Sequence, residues 1–193
     1  MQLNMQLNMQ LNVKQRGDQV ATFRWIEVRL METLARWVPT TPETEVKLVF
    51  GAHIWDLAQH ADSLGKRTHE LRLPLQHGLE PSVDFVRFLG DVAATDATDK
   101  RVASIYDCVL PGLERRFRHY IGQVDPLLDG PTLRILERIL FDISRMTAEC
   151  QALRDEVPAV AAADAGWLES LRRREASLVD IVVSRAADAV GTV

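Results

Sequence analysis

Ten consecutive residues, His53-Ile-Trp-Asp56-Leu-Ala-Gln-His60-Ala-Asp62, carry two imidazoles and two carboxylates in a stretch with helical character. At about 3.6 residues per turn, His53, Asp56 and His60 share one face, so an acid and two nitrogen bases point together into the protein. Such a group can ligate a cation or move a proton. Glu27 is a candidate from another segment. It sits between Phe23, Leu30 and Leu34 on an apolar stripe, where an isolated carboxylate must find a hydrogen-bonding partner, a counter-charge or a proton. A carboxyl group in apolar surroundings has its pKa raised toward neutrality, which suits it to general-base work. The candidate catalytic set is therefore Asp56 or Asp62 as base, His60 orienting it or shuttling the proton, and Glu27 balancing charge. Asp62 points away from the His53 face and stands four residues before Lys66, a spacing that equally suits a surface ion pair.

The elements that must position these residues are all helical. No stretch shows the two-residue alternation of a half-buried strand, and proline and glycine fall between long segments of helical period. The spacing predicts a first helix over 18–38 with Phe23, Glu27, Leu30, Leu34 and Trp37 on one stripe, ended by Pro39. A second runs over 42–71, with Thr41 as N-cap and Pro42 in the first turn. A loop over 73–82 leads to a short crossover helix over 83–95, which Ser82 can cap. A third long helix over 97–122 carries Tyr106, Leu110, Leu113, Phe117 and Tyr120, the tyrosines with wet hydroxyls, and is kinked at Pro111. Asp125-Pro-Leu-Leu-Asp129-Gly-Pro-Thr132 reads as a turn before a fourth helix that reaches Val157, with Leu136, Ile139, Ile143, Met146, Cys150 and Leu153 inward. A last helix over 165–189 turns Leu168, Leu171, Leu178, Ile181 and Val182 toward the bundle or a second subunit.

Composition narrows the function classes. A chain of 193 residues, 47% hydrophobic and 26% charged, builds one globular domain with a sizeable core. Net charge of −4, with arginines scattered along helices, offers no basic field, so nucleic acid is not an expected partner. Cys108 and Cys150 lack Cys-x-x-Cys spacing and read as core thiols of a reducing compartment. No run approaches the ~20 apolar residues of a membrane span, and the N-terminus lacks the pattern of a signal peptide. The expected localisation is cytoplasmic, with no membrane partner. Residues 1–12 are three copies of Met-Gln-Leu-Asn, so a low-complexity extension over 1–17 precedes the domain of 18–193.

Glu27, the run Trp55-Asp56-Leu-Ala-Gln-His60-Ala-Asp62, and Asp125-Pro-Leu-Leu-Asp129-Gly-Pro-Thr132 leading to Phe141-Asp142 resemble, in order and spacing, the ferritin-like superfamily, particularly bacterial ferritin-like proteins of biosynthetic clusters. The resemblance spans about residues 20–155 and implies an all-α, ferritin-like four-helix bundle with a short crossover helix and an additional C-terminal helix. In that family a carboxylate from each of two helices and a Glu-x-x-His pair from each of the other two hold two iron or manganese ions that activate oxygen. This chain departs from the pattern. Leu57 stands three residues before His60, and Ile143 and Met146 take the corresponding places in the fourth helix, where hydrocarbon and thioether cannot serve a hard ferrous ion. The resemblance then implies a biosynthetic enzyme that has lost its two-metal site. Its buried carboxylates act without a cofactor as general base on a small-molecule intermediate, in ring closure, elimination or isomerisation. Two alternatives stand beside it: a non-heme iron oxidase or oxygenase, with iron at Glu27, Asp56 and His60, and a non-catalytic partner subunit. Homodimerisation, or a pathway partner bound through the C-terminal helix, is expected.

Overall fold

The computed structural model describes residues 11–183, and among these there is no strand. Helix α1 spans Val13–Trp37. The Asn12 side chain accepts from the Gln15 backbone N–H at 2.9 Å, and the Gln15 carboxamide accepts from the Asn12 N–H at 2.8 Å, a reciprocal capping box. The expected start of this helix at residue 18 is thereby corrected to Val13. The third Met-Gln-Leu-Asn copy supplies the cap, Leu11 packs on the core, and Gly17 and Asp18 are buried. The first two copies lie outside the described residues. The stripe Phe23, Glu27, Leu30, Leu34 and Trp37 is buried throughout, as its spacing requires.

Pro39 turns the chain through a 3-10 turn at Val38–Thr40, and α2 follows at Thr44–Glu70. Thr41 does not cap α2. Its hydroxyl donates back to the Trp37 carbonyl at 2.9 Å, so the side chain closes α1 instead, and Glu43 takes the N-cap position without a side-chain bond. Trp37 packs on Phe50 with ring centroids 6.0 Å apart, while Leu79 N–H bonds the Ala21 carbonyl at 3.1 Å beyond the other end of α2.

Ser82 stands at the N-cap of α3 (Val83–Ala93), and α4 (Thr98–Ser104), α5 (Leu110–Gln123), α6 (Pro126–Glu156) and α7 (Ala165–Ser177) complete the order. Helices α4 and α5 form one rod joined by a π turn at Ile105–Val109. Pro111 has no N–H to give the carbonyl four residues earlier, that of Asp107, and that carbonyl accepts from Arg172 Nε at 2.9 Å instead. The expected kink is thus absorbed by a wider turn and a side-chain donor from α7.

Contacts set the directions. Glu27 meets His60, so α1 and α2 are antiparallel; His53 meets Glu149 and Arg67 meets Asp129, so α2 and α6 are antiparallel. Asp107 meets Arg154 and Tyr120 meets Asp129, which opposes the α4–α5 rod to α6. The α4–α5 rod therefore runs parallel to α2, a relation that requires the long crossover through α3. The helical bundle encloses one core, in which Phe23 sits edge-on to Phe117 at 4.9 Å and Tyr120 at 5.9 Å.

Two later expectations change. Helix α6 begins at Pro126, capped by Asp125, and runs through Gly130-Pro131 with its kink at Asp129 (φ −141°, ψ 27°), so the expected turn is helix. Helix α7 stops at Ser177, and residues 178–183 continue without helix; positions 184–189 of the expected helix lie outside the described residues. Of the residues expected to face the bundle or a second subunit, Ile181 is buried in the chain's own core and Leu168, Leu171, Leu178 and Val182 pack against it in part. Among the described residues, no helix is long and apolar enough to cross a membrane.

Candidate functional site

Helix α1 brings Glu27 and α2 brings His60 into contact: Glu27 Oε2 lies 3.4 Å from His60 Nδ1, with both side chains buried. On its other side His60 Nε2 lies 3.2 Å from Asp142 Oδ2 of α6. A ring that faces a carboxylate at each nitrogen donates at both only as imidazolium. Burial opposes that charge, but Glu27 first and Asp142 second outweigh it and hold the imidazole above its ordinary value. Asp142 is 17% exposed and so connects this buried ring to water.

The network continues along α6. Arg145 Nη2 pairs with Asp142 at 3.3 Å and with Asp56 at 2.8 Å, and Nη1 pairs with Glu149 at 2.9 Å. Those bonds, led by Asp56 and Glu149, raise the arginine further above its usual range. Asp56, expected in an apolar pocket, is instead the partner of a guanidinium. Glu149, 42% exposed, reaches His53 Nε2 at 2.8 Å. Burial at the seam works against the Glu149 charge, but the bonds from His53 and Arg145 prevail and leave it below the usual carboxylate value.

His53 is fully buried and does not join His60 directly, although the two share a helix face. Its Nδ1 lies 2.5 Å from the Tyr106 hydroxyl in the π turn. Since Glu149 can only accept, Nε2 carries the proton and the Tyr106 O–H donates to Nδ1, which assigns a neutral tautomer. Burial lowers the pKa of His53 and pushes that of Tyr106 well above its usual value. The wet hydroxyls expected for the tyrosines are dry: Tyr106 is spent on His53 and Tyr120 on Asp129 at 2.5 Å.

Asp62 is not part of this network. It pairs with Lys66 at 2.6 Å and accepts from Gln76 Nε2 at 3.0 Å, pinning the loop after α2, and the Lys66 bond holds its carboxyl below the usual value. Gln76 fits there with φ of 59°, while its carboxamide oxygen takes Arg24 Nε at 3.0 Å. Cys108 and Cys150 are buried thiols pushed up to about 12 by burial, too protonated to be nucleophiles near neutral pH.

The position of the α6 half also changes. Ile143 and Met146, read as replaced ligands, belong to the apolar core, and the residues α6 presents to α2 are Asp142, Arg145 and Glu149. These three recur at i, i+3 and i+7, a polar stripe about 100° from the apolar one. That periodicity was present in the sequence; only its proximity to His60 was not. The seam thus carries these polar residues, while Leu57, Ile143 and Met146 are buried in the core beside it. Iron does not fit it as arranged. Both His60 nitrogens are committed to carboxylates, a guanidinium already occupies the space among Asp56, Asp142 and Glu149, and no group of three or more His, Cys, Asp or Glu side chains among the described residues can hold a metal ion.

Two cavities lie elsewhere. One of about 620 Å³ opens between α1, α5 and residues 178–182, and one of about 420 Å³ lies between the π turn, α5 and α7. Neither is lined by Glu27, Asp56, His60 or Asp62. In comparisons with known proteins, the chain matches no family model, no curated protein and no solved structure.

Proposed function

We propose that this chain is a ferritin-like protein whose ion-pair lattice stands in for a metal pair, and that it performs acid–base chemistry on a small molecule. The observation that carries the reading is His60 set between buried Glu27 and part-exposed Asp142, with one carboxylate at each ring nitrogen. His60 is the proton donor, Glu27 balances its charge, and Asp142 exchanges the proton with solvent or substrate at the α2–α6 seam. Asp56 positions Arg145 and is not itself the base. The opposed pairs of rods, joined by one long crossover, support the ferritin-like assignment.

The test has two arms. Small-molecule extract incubated with the protein in deuterated water should show one compound isomerised or labelled by wild type and untouched by His60→Asn. Ferrous iron with oxygen should give no charge-transfer band in wild type, whereas Arg145→His, which removes the resident cation and adds an imidazole three residues after Asp142, should gain iron affinity. Iron-dependent oxygen consumption by wild type would overturn the proposal. A non-catalytic partner subunit is the second reading, favoured by large apolar side chains on the outer surfaces of α2 and α6: Leu48, Trp55 and Phe141 are each exposed by two thirds or more. A co-purifying protein lost on Trp55→Ser would select it.

A further inference from the structure

The 620 Å³ cleft lies in the size range of small-molecule sites, about 300–1,000 Å³, and its walls come from three parts of the chain. Helix α1 supplies Gln19 and Phe23, one turn apart. Helix α5 supplies Arg115, Arg116 and His119, and the segment after α7 closes the far side through Ile181. The Phe23 ring is fixed edge-on by Phe117 and Tyr120, which makes a rigid apolar floor. Ser82 N–H bonds the Ile181 carbonyl at 2.9 Å and Arg116 Nη2 bonds the Leu178 carbonyl at 2.6 Å, so the closing segment is held at both ends.

The charge on the wall is uneven. Arg115 and Arg116 both converge on the one carboxylate of Glu175, itself buried, which leaves one guanidinium charge over. Asp180 is the other acid at the cleft, but it is exposed on the closing segment, where water screens it. Arg116 is mostly buried, and its Nε is a buried donor with no hydrogen-bond partner. Glu175 demonstrates the shape that suits this pair of guanidiniums: a planar carboxylate.

We propose that the cleft between α1, α5 and residues 178–182 binds a small organic carboxylate with an aromatic body, the carboxylate on Arg115 and Arg116 and the ring against Phe23. This site is separate from the His60 network and does not depend on the acid–base reading. Calorimetric titration with 2-naphthoate, 2-naphthol and 2-naphthylmethylammonium tests it on the full chain. The carboxylate should bind about tenfold or more tightly than the alcohol or the ammonium, the gain expected of charge-assisted bonds, and inorganic phosphate alone should bind weakly for want of the apolar contact. Arg115 is 59% exposed, so Arg115→Gln should fold normally and lose most of that preference. Gln19→Trp, which fills the mouth from α1, should abolish binding with the helical circular dichroism unchanged. Equal affinity for the three naphthyl probes, an Arg115→Gln variant that keeps the preference, or no binding at millimolar 2-naphthoate would each overturn the proposal.

Discussion

Two charge clusters lie along the same α2–α6 seam, two helical turns apart, and they are built differently. Around Asp129, whose side chain is fully buried, three donors converge at short range: Arg67 Nη2 at 2.7 Å, Thr132 Oγ1 at 2.6 Å and the Tyr120 hydroxyl at 2.5 Å. Arg67 is also fixed by Thr132 at 2.8 Å and Glu70 at 2.6 Å. Around His60 the bonds are longer, 3.2 and 3.4 Å, and the chain of partners runs out to water through Asp142, Arg145 and Glu149. The closed cluster fixes the kink at the start of α6, where Asp129 leaves helical geometry so that its carboxylate can turn inward. The open one can exchange a proton without the bundle coming apart. Access to solvent and slack in the geometry separate the two clusters.

The largest effect that sharpens this contrast is expected for Asp129→Ala, which takes the fully buried acceptor from Arg67, Thr132 and Tyr120 at once and should cost about 3–5 kcal/mol of unfolding free energy. Asp142→Ala should cost clearly less, because Arg145 and His60 keep other partners or reach water. Denaturant titration of both variants decides, and equal losses would remove the distinction. Next is Tyr106→Phe, which leaves buried His53 Nδ1 without a donor and should cost about 1–3 kcal/mol, whereas Asp129 keeps two donors in Tyr120→Phe and should lose about 1 kcal/mol. A reversed ranking by chemical denaturation would show that the buried His53 nitrogen does not depend on the Tyr106 hydroxyl.

The third effect is in pH. His60 has a folded pKa above its unfolded value, so its contribution to stability is complete below about 6.5 and is lost as pH rises through the folded value. His53 has a folded pKa below its unfolded value, so its contribution holds above about 6.5 and is lost as pH falls toward the folded value. Titration of the two imidazoles by NMR should place His60 above and His53 below that point, and Glu27→Gln should move His60 down. The reverse order of titration would contradict both environments. The smallest change belongs to Asp62→Asn: its bonds to Lys66 and Gln76 lie at the surface, so the melting temperature should not move measurably.

Much of this was legible without coordinates. The buried stripe from Phe23 to Trp37 follows from the helical period, Glu27 stands out because a charge on such a stripe demands a partner, and His60 because it shares a helix face with Asp56. Asp142 is visible only through the Phe141-Asp142 motif, and its place on one stripe with Arg145 and Glu149 escapes for a specific reason. The three lie next in sequence to Ile143, Met146 and Cys150, and about 100° of helix rotation separates the two sets. Local sequence cannot say which of two adjacent stripes faces α2, because that depends on how α6 is rotated when its apolar side is buried. Asp62 is the converse case, a carboxylate in the same run of residues on another side of the helix, where its pair with Lys66 follows from the i,i+4 spacing.

What the sequence determined by itself was set within single segments: the all-α class, the breaks at Pro39 and after α2, and the apolar stripes that had to be buried. The tertiary structure alone decided the pairings: Glu27 with His60, Arg145 among three carboxylates, Tyr106 on His53 and Arg172 on the carbonyl that Pro111 leaves free. The physical reason is range. Periodicity and backbone hydrogen bonding act within a few residues, whereas an ion pair 33 to 96 residues long in sequence exists only once packing has brought its helices together.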